Sequence, residues 1–284
     1  MLPLRLLDAD ILIIFNDILI PLEEMGLRVE FPEGGPTITN PVRSEADLKH
    51  FRAVPSFADP PVARSLRRLR ERAGPDVPVL GFCGSPFTLA LYASEGKVSR
   101  NHQYLKRLMY TNPAVLHEML DRIADTAAGY LIAQVEKGGA HGVQVFESWG
   151  GSLPVPSLYE EFAAQYQRKV IQKFKAACPE TPVHLFVRWS SGKMESMDKS
   201  GADVLSVDWS ITLAEARQAT GLALQGNLDS MVMMAPEAVE REVRRMVEGF
   251  DWRRGWIANL GHGITPEGKP EAAKKFVECI HNLA

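Results

Sequence analysis

Seven short apolar segments, each running into a polar or glycine-rich loop, constrain the fold of this 284-residue chain more than any other feature. They cover residues 11–15, 79–82, 143–146, 183–187, 204–207, 222–225 and 256–264. The last one ends in Asn259 and in His262, which stands between two glycines. Parallel strands buried on both faces appear as continuous apolar residues, and in α/β folds the chemistry lies where such strands end. The segments therefore predict a parallel sheet with its functional groups along one edge.

Amphipathic stretches with apolar residues at helical spacing separate these segments, so strand and helix alternate along the chain. The clearest cover residues 114–136, 159–177, 213–219, 236–249 and 267–282. Seven or eight such units over roughly 250 residues favour a closed barrel over an open doubly wound sheet. Only seven units are visible, because ten residues precede the first segment. We predict an α/β fold, a (β/α)8 TIM barrel lacking its first strand, which either leaves the barrel open or reflects an absent amino-terminal unit.

The chain reads as one domain with one insertion. Residues 27–41 hold two short alternating runs around Gly34 and Gly35, which predict a β-hairpin in the loop after the first visible strand. The composition is that of a globular domain, with 45% hydrophobic residues, 24% charged residues and a formal net charge of -3. We predict a single domain over residues 1–284 with the hairpin at about residues 27–41.

Charge and hydropathy argue against nucleic-acid and membrane partners. The densest positive cluster, residues 64–72, has helical spacing and acidic neighbours, which indicates a solvated helix face. No apolar run approaches the ~18 residues that a membrane span needs, and the first residues do not resemble a secretory signal. Three scattered cysteines suit a reducing compartment, so we expect a cytoplasmic protein, or a plastid protein if the source is a photosynthetic eukaryote.

Common reactive motifs are missing from the sequence. Cys83, Cys178 and Cys279 are scattered, Cys83 has no histidine or second cysteine at ligand spacing, and no Cys-x-x-Cys or His-x-Cys cluster occurs, so we predict no metal site. Only Cys83 lies at a predicted strand end. The glycine-rich loops match neither phosphate-binding pattern, and Ser148 lacks the Gly-x-Ser-x-Gly turn of nucleophilic hydrolases. What remains at the predicted mouth of the barrel is a set of neutral and acidic groups: Asp17, Tyr92, Ser148, Asp208, Asn259 and His262.

Two of these groups have both a functional and a structural interpretation. Asp17 follows an apolar strand and precedes apolar residues, so its carboxylate would seek a proton or hydrogen-bond donors. It serves catalysis or caps the next helix, and the residues alone leave both open. His262 is either a functional imidazole that titrates near neutral pH or a capped core histidine.

The chain resembles the uroporphyrinogen decarboxylase family over its whole length. The resemblance rests on motifs in conserved order: Phe15-Asn-Asp-Ile-Leu-Ile-Pro21, Val29-Glu-Phe-Pro-Glu-Gly-Gly-Pro36, Asn40-Pro-Val-Arg43, Gly81-Phe-Cys-Gly-Ser-Pro-Phe-Thr88, Leu91-Tyr-Ala-Ser-Glu-Gly96, Phe146-Glu-Ser-Trp-Gly150, Val207-Asp-Trp209, Leu224-Gln-Gly-Asn-Leu-Asp229 and Ala258-Asn-Leu-Gly-His-Gly263. The fold implied by this resemblance is a (β/α)8 barrel.

The resemblance implies a carboxy-lyase that needs no cofactor. Its substrate would be uroporphyrinogen III, whose four acetate side chains lose carbon dioxide to give coproporphyrinogen III in haem and chlorophyll synthesis. By the same resemblance, Asp17 gathers the pyrrole N–H groups and favours the cationic protonated pyrrole. Tyr92, Ser148 and His262 would bind carboxylates or orient the reacting arm, and Phe146 would line the apolar face of the ring. The resemblance also implies a homodimer.

One departure from the family concerns the cations of the site. The family's Met-Arg-Gln-Ala-Gly-Arg-Tyr segment, whose arginines hold substrate carboxylates, does not occur in this sequence, and we expect a chain that starts after the first unit or a diverged relative. Arg188 and Lys97 are the cations nearest the predicted mouth, and Arg188 is the candidate replacement, the alternative being a solvated loop arginine. Two other functions stay open: a non-catalytic tetrapyrrole-binding protein, and a methyltransferase of the same superfamily, which would need a zinc site.

Overall fold

A sheet of seven parallel strands forms the centre of the protein. The computed structural model describes residues 1–33, 35–97, 99 and 101–283. The strands of this sheet are β1 (Leu12–Ile13), β4 (Val79–Gly84), β5 (Gly142–Glu147), β6 (Val183–Val187), β7 (Val204–Val207), β8 (Ala223–Leu228) and β9 (Trp256–Leu260), and they pair in chain order. Every pairing is parallel. The prediction of seven parallel strands is confirmed.

The central strands explain why the apolar runs were so clear. All residues of β6 and β7 are buried, because helices cover the outer face of the sheet while the strands curl around an interior. The main hydrophobic core lies between these strands and the surrounding helices. A smaller core joins β8 to the last two helices through Leu228, Val243 and Phe276.

Eleven α-helices among the described residues surround or extend the sheet. They are α1 (Ile20–Glu24), α2 (Pro61–Ala73), α3 (Pro86–Glu95), α4 (Gln103–Thr111), α5 (Pro113–Glu136), α6 (Pro156–Tyr159), α7 (Gln165–Ala177), α8 (Met194–Asp198), α9 (Leu213–Ala219), α10 (Val239–Met246) and α11 (Pro270–His281). The predicted helix over residues 159–177 is divided, because a wider helical turn at Glu160–Ala164 separates α6 from α7. The positive cluster at residues 64–72 lies on α2, where Arg64 and Arg67 pair with Asp59 on the surface.

The sheet is open between β1 and β9. These two strands are the ends of the strand order, and no described residue forms a strand between them. The residues before β1 form a short helical turn at Pro3–Leu7, which packs on α11. Open edges explain the exposure at this seam: Phe15 just after β1 is 97% exposed, and β9 is only half-buried. The seven strands found in the described part of the chain are compatible with a barrel that lacks its first strand.

The predicted hairpin is present. Strands β2 (Val29–Glu30) and β3 (Thr37–Ile38) pair antiparallel, while Gly34, at the centre of the prediction, lies outside the described residues. The hairpin is fixed to the end of α3, because the Ile38 N–H donates to the carbonyl of Gly96 at 2.6 Å. The insertion is therefore anchored at the carboxyl end of the helix that carries Tyr92.

Candidate binding cavity at the open seam

A cavity of about 930 Å³ occupies the barrel interior and reaches the seam. Its walls come from β1, the interior faces of the central strands, β9 and α11. Cavities that bind small organic ligands span roughly 300–1,000 Å³, so this one is at the upper end of that range. Phe146, Ser148 and His262 line it, although more than a hundred residues separate His262 from the other two. The cavity is large enough for a bulky planar or ring-shaped ligand.

Aromatic side chains form one continuous wall. Phe146 contacts Phe82 and Phe186, with ring centroids 5.7 Å apart in both pairs. Phe186 in turn faces His262 at 6.1 Å. Such a surface offers dispersion contacts to the flat apolar face of a ligand, which agrees with the place predicted for Phe146. Phe82 and Phe186 were not singled out from the sequence, because they could not be distinguished from other apolar strand residues.

A buried polar layer crosses the barrel below these rings. The side-chain amide of Gln225 donates to Gln144 at 3.1 Å and to the hydroxyl of Ser206 at 3.0 Å. Its carbonyl oxygen lies 2.8 Å from Nδ1 of His184, and burial lowers the pKa of that histidine. A neutral imidazole with its proton on Nδ1 therefore donates to Gln225. Pattern reading missed this layer, because each polar residue stands alone within an apolar strand.

The loop after β5 is held by a buried carboxylate. Glu147 is fully buried and accepts hydrogen bonds from the Thr88 hydroxyl at 2.6 Å and from the Gly150 N–H at 2.8 Å. The Thr88 oxygen accepts the N–H of Ser148 at 2.9 Å. Among the bonds formed by the described residues, none uses the Ser148 hydroxyl. The backbone of Ser148 is thus fixed while its hydroxyl is available to a ligand.

Tyr92 lies on α3 rather than on a strand-end loop, and it is close to Asp17. Burial raises the pKa of Tyr92, and the charge of Asp17 raises it further. The phenol therefore keeps its proton and acts as a donor. The buried indole N–H of Trp149 is near this hydroxyl and partly offsets the rise, yet it forms no hydrogen bond of good geometry.

The Asp17 side chain is half-buried at the end of β1. Its Oδ1 accepts the N–H of Leu19 at 2.8 Å, two residues along the chain, in a turn that precedes α1. Because α1 begins at Ile20, Asp17 shapes the approach to this helix without being its capping residue. No bond within the described part of the chain engages its Oδ2. The chain neighbours Asn16 and Ile18 line the cavity, whereas Asp17 itself is not among the lining residues.

Arg188 is close enough to His262 for its charge to act on the imidazole. Partial desolvation lowers the pKa of His262, and the Arg188 charge lowers it further, although the imidazole is exposed at the cavity rim. The guanidinium of Arg188 is stacked 4.3 Å above the ring of Trp189, and its buried Nε has no hydrogen-bond partner. An unpaired buried donor of a charged group favours an anion, since leaving it unsatisfied costs about 1–3 kcal/mol. Lys97, the other candidate cation, is exposed after α3.

Other candidates from the sequence have structural environments. Cys83 is 2% exposed and burial raises its thiol pKa to about 12, so it is not an activated nucleophile. Asn259 is exposed and its side-chain oxygen accepts the N–H of Leu260. Asp208 is buried and saturated with hydrogen bonds rather than free at the mouth.

Within the described ranges, no group of three or more histidine, cysteine, aspartate or glutamate residues could hold a metal ion. None of the described helices has the length and apolarity needed to cross a membrane.

Comparisons with known proteins converge on one sequence family. The family model described as "Uroporphyrinogen decarboxylase (URO-D)" matches residues 1–283. Proteins named uroporphyrinogen decarboxylase from Prochlorococcus marinus and Trichlorobacter lovleyi are each 42% identical, over 98% and 99% of this chain and 80% and 83% of their own lengths. The protein of that name from Geobacter sulfurreducens is 41% identical over 99% of this chain and 83% of its own.

Solved structures support the fold. A methyltransferase from Methanosarcina mazei superposes with a TM-score of 0.76 at 18% identity, over 98% of this chain and 82% of its own. A putative vitamin-B12 independent methionine synthase from Listeria monocytogenes gives a TM-score of 0.53 at 15% identity, over 81% of this chain and 70% of its own. At such identities the likeness concerns the barrel architecture alone.

Proposed function

Because the chain belongs to the uroporphyrinogen decarboxylase family, we propose that it removes the carboxyl groups of the four acetate side chains of uroporphyrinogen III to give coproporphyrinogen III. The observation that carries this proposal is the convergence of Phe146, Ser148 and His262 on one cavity. Its aromatic wall suits the macrocycle, and its polar rim suits carboxylates. The class of enzyme is a carboxy-lyase that requires no cofactor.

In this reaction the protonated pyrrole itself accepts the electron pair of the broken bond. The protein therefore has to orient the substrate and stabilise its positive charge. A proton adds to the pyrrole carbon that bears the acetate arm, and the C–CO2 bond then breaks as its electron pair neutralises the pyrrole cation. A second proton adds to the exocyclic carbon, and the first proton is lost to restore the ring. In this proposal the Asp17 carboxylate accepts pyrrole N–H groups and stabilises the cation, because opposite charge in a partly desolvated site lowers its energy.

The remaining residues recognise the arms and the ring. The hydroxyl of Ser148 and the imidazole of His262, which both line the cavity, donate to acetate or propionate oxygens, and the protonated Tyr92 phenol near Asp17 does the same. Phe146 packs on the ring face. Neutral donors alone hold anions less firmly than charged ones, each charge-assisted bond being worth roughly 1.5–3 kcal/mol.

Arg188 supplies the charged contact in this proposal. The sequence contains no Met-Arg-Gln-Ala-Gly-Arg-Tyr segment, so the family's arginines are not available from these residues. The charge of Arg188 acts on His262, its Nε is buried and unpartnered, and the guanidinium suits bidentate binding of a carboxylate. We propose that it anchors one arm and restores part of the missing binding energy.

The site belongs to one domain of 284 residues, and we propose that the seam is covered in a homodimer. Exposed Ile13 and Phe15 beside an unpaired strand edge form a surface that favours pairing with another chain. The free cysteines agree with a reducing compartment, and we place the reaction in the cytoplasm on that ground.

Anaerobic incubation with uroporphyrinogen III tests the activity. The oxidised porphyrins are separated by chromatography according to their number of carboxyl groups, and substrate binding is measured in parallel. Stepwise loss of four carboxyl groups supports the decarboxylase. Tight binding without loss of carboxyl groups would instead indicate a tetrapyrrole-binding protein. If the protein neither binds nor converts uroporphyrinogen III, both proposed functions are contradicted.

A further inference from the structure

The buried carboxylate of Asp208 joins two loops at the mouth of the barrel. It is 1% exposed, and its Oδ2 accepts the N–H of Trp189 at 2.7 Å. Its Oδ1 accepts the hydroxyls of Ser190 and Ser210, at 2.9 and 2.5 Å, and more weakly the N–H groups of both serines at 3.2 Å. The Ser190 oxygen in turn accepts the Asp208 N–H at 3.2 Å. A carboxylate with five donors is a rigid junction rather than a reactive group.

This junction fixes an uncommon backbone turn. Trp189 has a φ of 56°, in the left-handed region that non-glycine residues rarely occupy. The short bond from its N–H to Asp208 stabilises that turn. The turn sets the direction in which Arg188 leaves β6 and stacks on Trp189.

The same junction contacts the loop that carries His262. Gly261 packs so closely on the end of β7 that a Cβ there would lie 3.0 Å from the Cα of Asp208 and 2.9 Å from the Trp209 nitrogen. Asn227 ties the end of β8 to it by donating to the Asp208 carbonyl at 2.9 Å. Four neighbouring strand ends therefore meet at Asp208.

We propose that Asp208 is a positioning residue that holds Arg188 beside His262, so that the two side chains form one anion-binding pair for a substrate carboxylate. Binding of a substrate carboxylate by Arg188 and His262 rests on the proposed function. The coupling of these two side chains through Asp208 does not. Asp208 acts through the serine hydroxyls and the Trp189 turn and does not itself touch the ligand.

The charge state of His262 reports this coupling without substrate. The charged groups acting on its imidazole are Arg188 from the β6 loop, which lowers its pKa, and Asp208 from the β7 loop, which raises it slightly; the Gly263 backbone also raises it. The Ser190→Ala/Ser210→Ala double variant keeps both charges but loosens the junction. If Arg188 then moves away, the pKa of His262 rises.

The experiment is a double-mutant cycle read by NMR titration of labelled histidine, with His262→Gln used to assign the signal. We expect the double serine variant and Arg188→Ala each to raise the pKa of His262, and the serine substitutions to have no further effect once Arg188 is gone. An unchanged pKa in the serine variant, or an equal shift with and without Arg188, would overturn the proposal. Asp203→Asn is the matched control, because Asp203 accepts the Val183 N–H at 2.7 Å at the opposite ends of the same strands.

Binding of uroporphyrinogen by the same variants separates the two proposals. We expect Asp208→Asn and the double serine variant to weaken binding about tenfold, the size expected for one charge-assisted bond, and Asp203→Asn to leave it unchanged. If the NMR cycle succeeds but wild-type protein binds no porphyrinogen, the proposed function fails and the positioning role stands. If the wild type binds and converts substrate while the cycle shows no coupling, the positioning role fails alone. Urea unfolding of each variant confirms that it is folded.

Discussion

The hydroxyl of Thr88 on α3 donates to the buried carboxylate of Glu147 at 2.6 Å. Through the same oxygen it accepts the Ser148 N–H at 2.9 Å, so a helix residue fixes the loop that presents Ser148 to the cavity. Both Thr88 and Glu147 are fully buried, and 59 positions separate them in the sequence. The position of Ser148 at the cavity therefore depends on two side chains in the protein core.

We expect Thr88→Val to lower both stability and substrate affinity. Loss of the hydroxyl leaves a buried carboxylate short of one donor, at a cost of about 1–3 kcal/mol in the free energy of unfolding, and frees the Ser148 backbone. Thr126→Val is the control, because the buried Thr126 hydroxyl also donates one hydrogen bond and accepts another. It donates to the carbonyl of Arg122 and accepts the N–H of Val54, away from the cavity. Urea unfolding should show a loss for both variants, whereas uroporphyrinogen affinity should fall only for Thr88→Val. Equal affinities would contradict the link.

Arg188→Ala should weaken uroporphyrinogen binding by about tenfold or more, because it removes the charged partner of a carboxylate. Arg253→Ala is the matched control, since Arg253 is stacked 4.4 Å above Trp252 much as Arg188 is stacked 4.3 Å above Trp189. Fluorescence quenching or equilibrium dialysis under anaerobic conditions measures both. If Arg188→Ala binds uroporphyrinogen as tightly as the wild type, Arg188 does not bind the substrate and is a solvated loop residue.

The buried histidine of the polar layer should make stability fall in acid. Burial lowers the pKa of His184 in the folded state, so the unfolded chain binds a proton that the folded chain does not. The free energy of unfolding therefore decreases as the pH falls below about 6.5, the usual histidine value. His184→Gln should flatten this dependence in urea titrations between pH 7.5 and 5. Ser206→Ala, which loses a bond in the same layer but no titrating group, should keep the wild-type slope. A slope in His184→Gln equal to wild type would show that another group is responsible.

The apolar seam should drive self-association. Phe15→Ser removes a side chain that is 97% exposed beside the β1 edge, so we expect sedimentation to show less dimer or aggregate. Phe31→Ser, at a 63% exposed position beside the hairpin, should leave association unchanged. A wild-type protein that stays monomeric and unfolds cooperatively would contradict a covered seam.

The sequence predicted strand positions best where burial is complete. Residues 183–187 and 204–207 match β6 and β7 without an error, because every side chain there is buried and all except His184 are apolar or small. At the open seam the prediction was less accurate: residues 11–15 contain a strand of only two residues, since β1 has a partner on one side only. The local pattern of apolar residues therefore predicts which segments are buried better than it predicts how far a strand pairs with its neighbours.

The site was predictable where residues follow strands and hidden where contacts are long-range. Phe146, Ser148 and His262 could be grouped because parallel strands end on one edge, and all three line the cavity. The partners that orient them could not. Thr88 and Glu147 meet because α3 packs on the end of β5, across 59 positions of sequence, and Gln144 and Gln225 meet because the sheet curls, across 81 positions.

The comparison of Asp17→Asn with Asp229→Asn tests the central claim most directly. Asp229 is a half-buried aspartate whose Oδ1 accepts the N–H two residues on at 2.9 Å, as the Oδ1 of Asp17 does at 2.8 Å. Neither carboxylate lines the cavity, but both chain neighbours of Asp17, Asn16 and Ile18, do so, whereas the chain neighbours of Asp229, Leu228 and Ser230, do not. We predict that Asp17→Asn, which keeps the shape and removes the charge, lowers the anaerobic rate of uroporphyrinogen decarboxylation by about a hundredfold or more, as loss of one electrostatic stabiliser does. Asp229→Asn should keep the wild-type rate. Equal rates in the two variants would contradict decarboxylation at this cavity.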